Sequence, residues 1–134
     1  MDSFINDDFL LRSESARILY HDCAKHLPII DFHNHLSPKD IALDRIFDSI
    51  TKLWLEGDHY KWRAMRSCGT NEEFITGTSS DWEKFQRWSS ILPKLLLNPL
   101  YHWPHLELSR YFNIDILLNE ASSRFVYDSC NEKV

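Results

Sequence analysis

Residues 28–35 read Pro28-Ile29-Ile30-Asp31-Phe32-His33-Asn34-His35 and differ in pattern from the rest of the chain. The segment begins with a proline, which ends the preceding helix, continues with two β-branched residues and finishes with polar ones. This pattern predicts a strand over residues 29–35 whose carboxyl end opens onto a site. No other stretch has a convincing strand pattern. The backbone donors and acceptors of this strand therefore need a partner that lies outside the sequence or in a strand that its pattern conceals.

The sequence on both sides of this stretch predicts helices. On the amino side, Ser13 is placed to cap a helix that runs to about Leu27. On the carboxyl side, Ser37 begins a helix with Pro38 in its first turn, and Asp44 begins another. Only three glycines are present, which favours helices over tight turns. Further helix starts are predicted at Asp58, Thr70 and Ser80, near Pro104, whose ring is tolerated in a first turn, and near Glu120.

Length and charge exclude several classes of protein. The chain has 134 residues, a net charge of -5 and 43% hydrophobic residues, which is typical of a globular protein. Lysines and arginines are scattered among acids, which argues against a nucleic-acid partner. No apolar run approaches the ~20 residues that span a membrane, and the first residues lack a secretory signal pattern. We therefore expect a cytoplasmic protein that does not contact a membrane, with Cys23, Cys68 and Cys130 reduced. A complete (β/α)8 barrel needs about 250 residues and does not fit this length.

Aromatic residues are abundant, and five of them are tryptophans. Tryptophan has a large apolar body and one polar group, so it suits a packed core or the wall of a polar-ligand pocket. For any single tryptophan we favour the core, because burial is the usual fate of such side chains.

The pair His33 and His35 is the sharpest local feature of the sequence. On a strand, residues two apart point to the same face and lie about 6.6 Å apart along the backbone. Two imidazoles placed in this way can bind one metal ion, and zinc, manganese and iron all accept neutral imidazole. Spacing alone weighs this hypothesis evenly against two hydrogen-bonded polar residues at a strand end.

A second cluster of polar side chains begins at Asp58, where a helix is predicted to start. A helix start favours anions, His59 can carry a proton near neutral pH, and Arg63 with Arg66 can hold a carboxylate. From the residues alone we favour a simpler interpretation, a solvated amphipathic helix that buries Trp62 and Met65. A third cluster contains His102 and His105, for which we favour a structural role. Nearby, the spacing of Glu107 and Arg110 predicts a weak surface ion pair.

Several blocks, in order along nearly the whole chain, resemble the first part of the uronate isomerase family. The residues that carry the resemblance are Phe9-Leu10-Leu11, Tyr20-His21, residues 28–38, residues 54–66, residues 98–103 and residues 105–108. Ordered blocks of this length are far more specific than an isolated His-x-His pattern. Three positions depart from the expected pattern, namely Leu97, Pro104 and Asn113. Leu97 and Pro104 affect the path of one loop, whereas Asn113 can still adopt a left-handed helix cap.

The resemblance implies an α/β fold, the N-terminal part of a metal-dependent (β/α)8 barrel of amidohydrolase type, with these 134 residues mostly helical. Residues 1–36 would hold an N-terminal helix and the first barrel strand, and residues 37–134 a helical region inserted after that strand. It also implies that His33 and His35 bind a divalent metal, zinc in the usual case, and that His59 and Tyr60 face the substrate as catalytic residues. The remaining metal ligand, the catalytic base and the carboxylate-binding arginines would lie beyond Val134.

The implied activity interconverts glucuronate with fructuronate and galacturonate with tagaturonate. On this basis the chain is expected to be a fragment that is inactive alone, with a small uronate as its partner and homo-oligomerisation left open. The alternative is a truncated, non-catalytic helical module that binds another chain. A hydrolase of the same superfamily is disfavoured by the His59-Tyr60 pair, because hydrolysis does not need that proton relay.

Overall fold

The computed structural model describes residues 4–34 and 36–134. Within these residues all regular secondary structure is helical. The chain divides into two compact units, Met1–Asn34 and His35–Val134, and each is described separately below. No helix in the described part of the chain is long and apolar enough to cross a membrane.

The first unit contains helix α1 (Glu14–Ile18), which continues as a π-helical segment over Leu19–Ala24. The Ser13 hydroxyl accepts a hydrogen bond from the Ala16 N–H, so the predicted cap is confirmed. The helical segment ends at Ala24, a few residues before the predicted end. The leading segment is tied to it by a 2.8 Å contact between His21 Nε2 and Asp8 Oδ1.

The predicted strand is absent from the described residues, since residues 29–34 adopt no regular secondary structure. Ile29 and Phe32 are 92% and 96% exposed. A strand is held by hydrogen bonds to a neighbouring strand, and the described residues offer none. The sequence therefore has strand character at this point, but the part of the chain that the structure describes does not contain the partner that a strand requires. His35, the last residue of the predicted strand, lies outside the described residues.

The described residues of the second unit, 36–134, form six α-helices and shorter helical segments. The α-helices are α2 (Pro38–Ala42), α3 (Ile50–Leu55), α4 (His59–Ser67), α5 (Asp81–Ile91), α6 (Pro99–Glu107) and α7 (Ser123–Asn131). The shorter segments are 3-10 turns at Glu72–Phe74 and Leu92–Leu95 and a π-helical turn at Leu108–Phe112.

Four of the eight predicted helix starts are confirmed by their caps, that at Ser13 in the first unit and three in the second. The Ser37 hydroxyl caps α2, the Asp58 carboxylate caps α4, and Ser80 forms a capping box with Glu83 at the start of α5. At Thr70 the structure has only a 3-10 turn that follows Asn71, and α7 begins at Ser123 instead of near Glu120. The prediction at Asp44 is wrong, because α3 begins after Ser49. The Ser49 Oγ accepts from the Lys52 N–H and donates to Asp81 Oδ2 at 2.6 Å, a tertiary contact that the local pattern does not reveal.

Helix α6 begins earlier than the sequence predicts. The Asn98 side chain accepts from the Leu100 N–H and Pro99 occupies the first helical position, so the helix starts there. Pro104 consequently lies inside α6, where its missing N–H removes one helical hydrogen bond. The π-helical turn after α6 ends at Asn113, which takes the left-handed conformation predicted for it (φ 56°).

The core of the second unit forms where α3, α5 and α7 pack together. Trp54 and Trp88 are buried there, as favoured for the tryptophans. Cys130 is also buried, and burial raises the pKa of its thiol to about 12, so this cysteine is an inert core residue. The largest fully buried side chains are those of Trp88, Phe85, Ile50, Met65, Leu92, Leu108, Leu118 and Val126.

Candidate functional site

The histidine pair predicted to bind metal is described only in part. The His33 backbone N–H donates to Asp31 Oδ1 at 3.2 Å, and the His33 side chain is exposed. His35 lies outside the described residues, so the convergence of the two imidazoles remains a prediction. Two imidazoles suit zinc chemically but leave two positions of a tetrahedral shell open. Among residues 4–34 and 36–134, no group of three or more His, Cys, Asp or Glu side chains is placed to complete such a shell.

The start of α4 is held by an unusually complete cap. Asp58 Oδ1 accepts from the backbone N–H groups of Tyr60 and Lys61, both at 3.0 Å. Asp58 Oδ2 accepts from Lys61 Nζ at 2.7 Å. Gly57 precedes the cap with a φ of 79°, a conformation that a side chain would disfavour. The first turn of α4 is therefore fixed by three hydrogen bonds to one carboxylate.

His59 and Tyr60 occupy this first turn, and both side chains are exposed. Their rings are stacked, with centroids 5.0 Å apart and an interplanar angle of 29°. The structure thus brings together the two residues predicted to face the substrate. An imidazole and a phenol side by side can exchange protons with hydroxyl and carbonyl groups of a bound molecule.

Charges beneath this turn are more buried than the sequence suggests. Lys61 is only 8% exposed, whereas the amphipathic pattern placed it among solvated cations. Burial opposes ionisation of the Asp58 carboxyl, but the hydrogen bond and charge of Lys61 and the two backbone N–H groups outweigh it and lower the pKa. Asp58 therefore stays ionised and paired with Lys61 at neutral pH.

Glu107 on α6 is a member of this buried group that sequence reasoning missed. Its spacing to Arg110 predicted a surface ion pair, but burial raises the pKa of the Glu107 carboxyl, and the Lys61 charge opposes that rise. The carboxyl also lies near the Trp54 indole N–H, although the two do not meet in hydrogen-bond geometry. Only the packing of α6 against the elements before it creates this neighbourhood, and no local signal could have revealed it.

The two arginines of α4 have different environments. Arg66 holds the Glu72 carboxylate through two nitrogens, which lowers the pKa of Glu72 to about 2. The Arg63 guanidinium lies over the Tyr60 ring, 5.7 Å from its centroid, and has no carboxylate partner among the described residues. Arg63 and Arg66, which the sequence offered as a possible pair for one carboxylate, therefore have different partners.

A pocket of about 300 Å³ lies between α4 and α6. It includes one predicted catalytic residue, Tyr60, while His59 is not among its lining residues. The lining residues are Tyr60, Arg63, Ala64, Ser67, Leu95, Asn98, Pro99, Leu100 and Trp103.

His105 has the structural role favoured for it. It is buried, its Nδ1 lies 2.6 Å from the Tyr101 carbonyl oxygen, and its Nε2 accepts from the Leu118 N–H at 2.9 Å. This pattern corresponds to a neutral ring with the proton on Nδ1. Burial is the main cause that lowers the pKa of His105.

The chain is similar to proteins of one class, the uronate isomerases. The solved structure of uronate isomerase from Thermotoga maritima matches with a TM-score of 0.91 and 37% identity, over 98% of this chain and 29% of that one. The uronate isomerases of Geobacillus thermodenitrificans and Geobacillus stearothermophilus are 59% and 58% identical over 132 residues, covering 98% of this chain. These similar proteins are all sugar-acid isomerases by name.

The family model described as glucuronate isomerase matches residues 1–134. The chain belongs to the glucuronate isomerase family, and the resemblance inferred from the sequence is confirmed. The chain spans about 28% of the length of the curated relatives it matches and corresponds to their N-terminal part.

Proposed function

We propose that these residues form the N-terminal part of a uronate isomerase that interconverts glucuronate with fructuronate and galacturonate with tagaturonate. The observation that carries this proposal is the match to the family over the whole chain, joined to an exposed His59-Tyr60 pair on a firmly capped helix start. The finer architecture is part of the same proposal. Residues 29–35 become the first strand of an amidohydrolase-type (β/α)8 barrel when partner strands are present, in a cytoplasmic enzyme that works on a small uronate.

The reaction needs proton-exchanging groups of the kind that lie exposed on α4. Moving a proton between C1 and C2 of a sugar passes through an enediol and needs proton exchange at both oxygens. The His59 imidazole and the Tyr60 hydroxyl are adjacent and exposed, so each can donate to or accept from a sugar oxygen. Asp58 supports this role indirectly, because its three hydrogen bonds hold the backbone from which both side chains project.

His33 and His35 would hold the divalent metal, for which zinc is our choice. A bound cation at this place would polarise the substrate oxygens and orient them. Two imidazoles fit such an ion but fill only part of its coordination shell. The remaining ligands would be residues other than His33 and His35. We therefore expect the isolated chain to retain metal weakly.

A chimaera tests the function directly. Residues 1–134 are joined to the part of the Geobacillus thermodenitrificans relative that follows its matching segment, a graft that the 59% identity makes structurally reasonable. The chimaera is expected to convert glucuronate to fructuronate, measured by proton NMR of the sugar mixture. A folded chimaera that binds metal and shows no turnover would overturn the proposal.

Variants of the chimaera separate the two predicted roles. His33→Ala is expected to remove the metal, and His59→Ala to lower turnover while the metal stays bound. Metal content is measured by mass spectrometry after gel filtration. Equal loss of metal in both variants would contradict the division between metal-binding and proton-transferring residues.

A further inference from the structure

The pocket between α4 and α6 has one polar wall. Tyr60, Arg63 and Ser67 follow each other at three- and four-residue spacing, so they share one face of α4. This face offers a phenol, a guanidinium and a hydroxyl in succession. The volume of about 300 Å³ lies at the lower end of the range for small-molecule sites.

The opposite wall of the pocket is apolar apart from Asn98 and includes one aromatic ring. Leu95, Pro99 and Leu100 line it together with Trp103. Trp54 and Trp88 are buried in the core, but Trp103 remains 51% exposed beside the pocket. A half-exposed indole is suited to pack against the C–H face of a sugar ring, since tryptophan combines a broad apolar surface with a polar edge.

The charge in this pocket comes from Arg63. Its neighbour Arg66 is occupied by Glu72, whereas the Arg63 guanidinium rests over the Tyr60 ring at the pocket wall. Guanidinium binds a carboxylate through two parallel hydrogen bonds, a geometry that lysine does not offer. An aromatic wall, hydroxyl groups and a single guanidinium together suit a small, hydroxylated carboxylate.

We propose that this pocket binds a hexuronate, with its carboxylate at Arg63, its ring against Trp103 and its hydroxyls near Ser67 and Tyr60. The choice of a uronate rests on the proposed function, while the preference for a hydroxylated carboxylate comes from the pocket itself. The proposal adds a carboxylate contact within this chain, whereas the family resemblance places the carboxylate-binding arginines beyond Val134.

Binding to the 134-residue chain is measured by NMR titration of isotope-labelled protein. Glucuronate is expected to shift the backbone amides of Ala64, Ser67 and Leu100 and the indole N–H of Trp103. Glucose, which lacks the carboxylate, and acetate, which lacks the ring, are each expected to bind about tenfold more weakly or worse. Equal binding of glucose or of acetate, or shifts confined to other parts of the chain, would overturn the proposal.

Matched variants locate the contacts. Arg63→Met is expected to weaken glucuronate binding about tenfold, while Arg66→Met, which removes the same charge one turn away, leaves it within twofold. Trp103→Ala is expected to weaken binding several-fold, and Leu97→Ala, at an exposed position outside the pocket, to have no effect. Unchanged affinity in Arg63→Met would contradict the assigned carboxylate contact.

The chimaera distinguishes this proposal from the proposed function. Arg63→Met in the chimaera is expected to raise KM for glucuronate more than it lowers kcat, as the loss of a uniform binding contact does. An active chimaera whose KM is unaffected by Arg63→Met would overturn the pocket assignment and leave the isomerase function intact. An inactive chimaera, with Arg63-dependent glucuronate binding in the chain, would overturn the function and leave the pocket standing.

Discussion

His105 is a buried imidazole whose two ring nitrogens both take part in hydrogen bonding. Its pKa lies below the ordinary value of 6.5, chiefly because burial disfavours the charged form. Between the folded and unfolded pKa values only the unfolded chain binds the proton, so stability falls as pH drops below about 6.5.

The His105→Gln variant tests this source of acid sensitivity. Its free energy of unfolding, from urea titrations at pH 7.5, 6.5 and 5.5, is expected to decrease less toward low pH than that of the parent chain. Glutamine can still accept from the Leu118 N–H, so the variant should fold. An identical pH dependence in both proteins would show that His105 is not the titrating group.

Asp58 combines a helix cap with a largely buried ion pair, and both terms stabilise α4. Asp58→Ala should lower the free energy of unfolding by about 2 kcal/mol, because it removes the cap and leaves Lys61 without its partner. Asp58→Ser restores a capping oxygen and should recover part of this loss. A change below about 0.5 kcal/mol in Asp58→Ala would contradict this account.

The Asp58 carboxylate also makes the free energy of unfolding depend on pH. Because the folded pKa of Asp58 is lower than 3.8, its stabilising contribution is complete above about pH 3.8 and is lost as pH falls through the folded value. This loss should be absent in Asp58→Ala, which the same urea titrations extended to pH 3 would reveal.

Residues 29–34 illustrate that a strand depends on neighbouring strands for its hydrogen bonds. Ile29, Ile30 and Phe32 are almost fully exposed, although their sequence has strand character. In the isolated chain we expect the backbone amides of Ile30 and Phe32 to exchange with solvent without protection. In the chimaera, strand pairing should protect them.

Hydrogen–deuterium exchange of both proteins, read residue by residue, measures this difference. Amides of α5, an element present in both proteins, provide the internal reference. Protection of Ile30 and Phe32 in the isolated chain, or its absence in a folded chimaera, would contradict the assignment of this segment as a barrel strand.

Several helices of this chain can be predicted from local signals. The caps of Ser13, Ser37, Asp58 and Ser80 need only residues within three positions, and each was found. The starts of α3 and α6 differ from the prediction although their caps at Ser49 and Asn98 are also local, so a local signal alone does not identify every helix start. The surface position predicted for Glu107 is wrong for a different reason, since its burial depends on tertiary packing.

The residues predicted to bind metal and to transfer protons are divided between the two units of the chain. His33 belongs to Met1–Asn34, and His59 with Tyr60 to His35–Val134. The sequence could identify the family because ordered blocks along the chain carry it, and the match over residues 1–134 confirms this. It could not provide a complete site, because the chain spans about 28% of the length of its relatives.

The decisive measurement is the conversion of glucuronate to fructuronate, followed for the isolated chain and for the chimaera under the same conditions. We expect no turnover by the 134 residues alone and measurable turnover by the chimaera, dependent on His59. Turnover by the isolated chain, or a folded, metal-loaded chimaera without turnover, would contradict it.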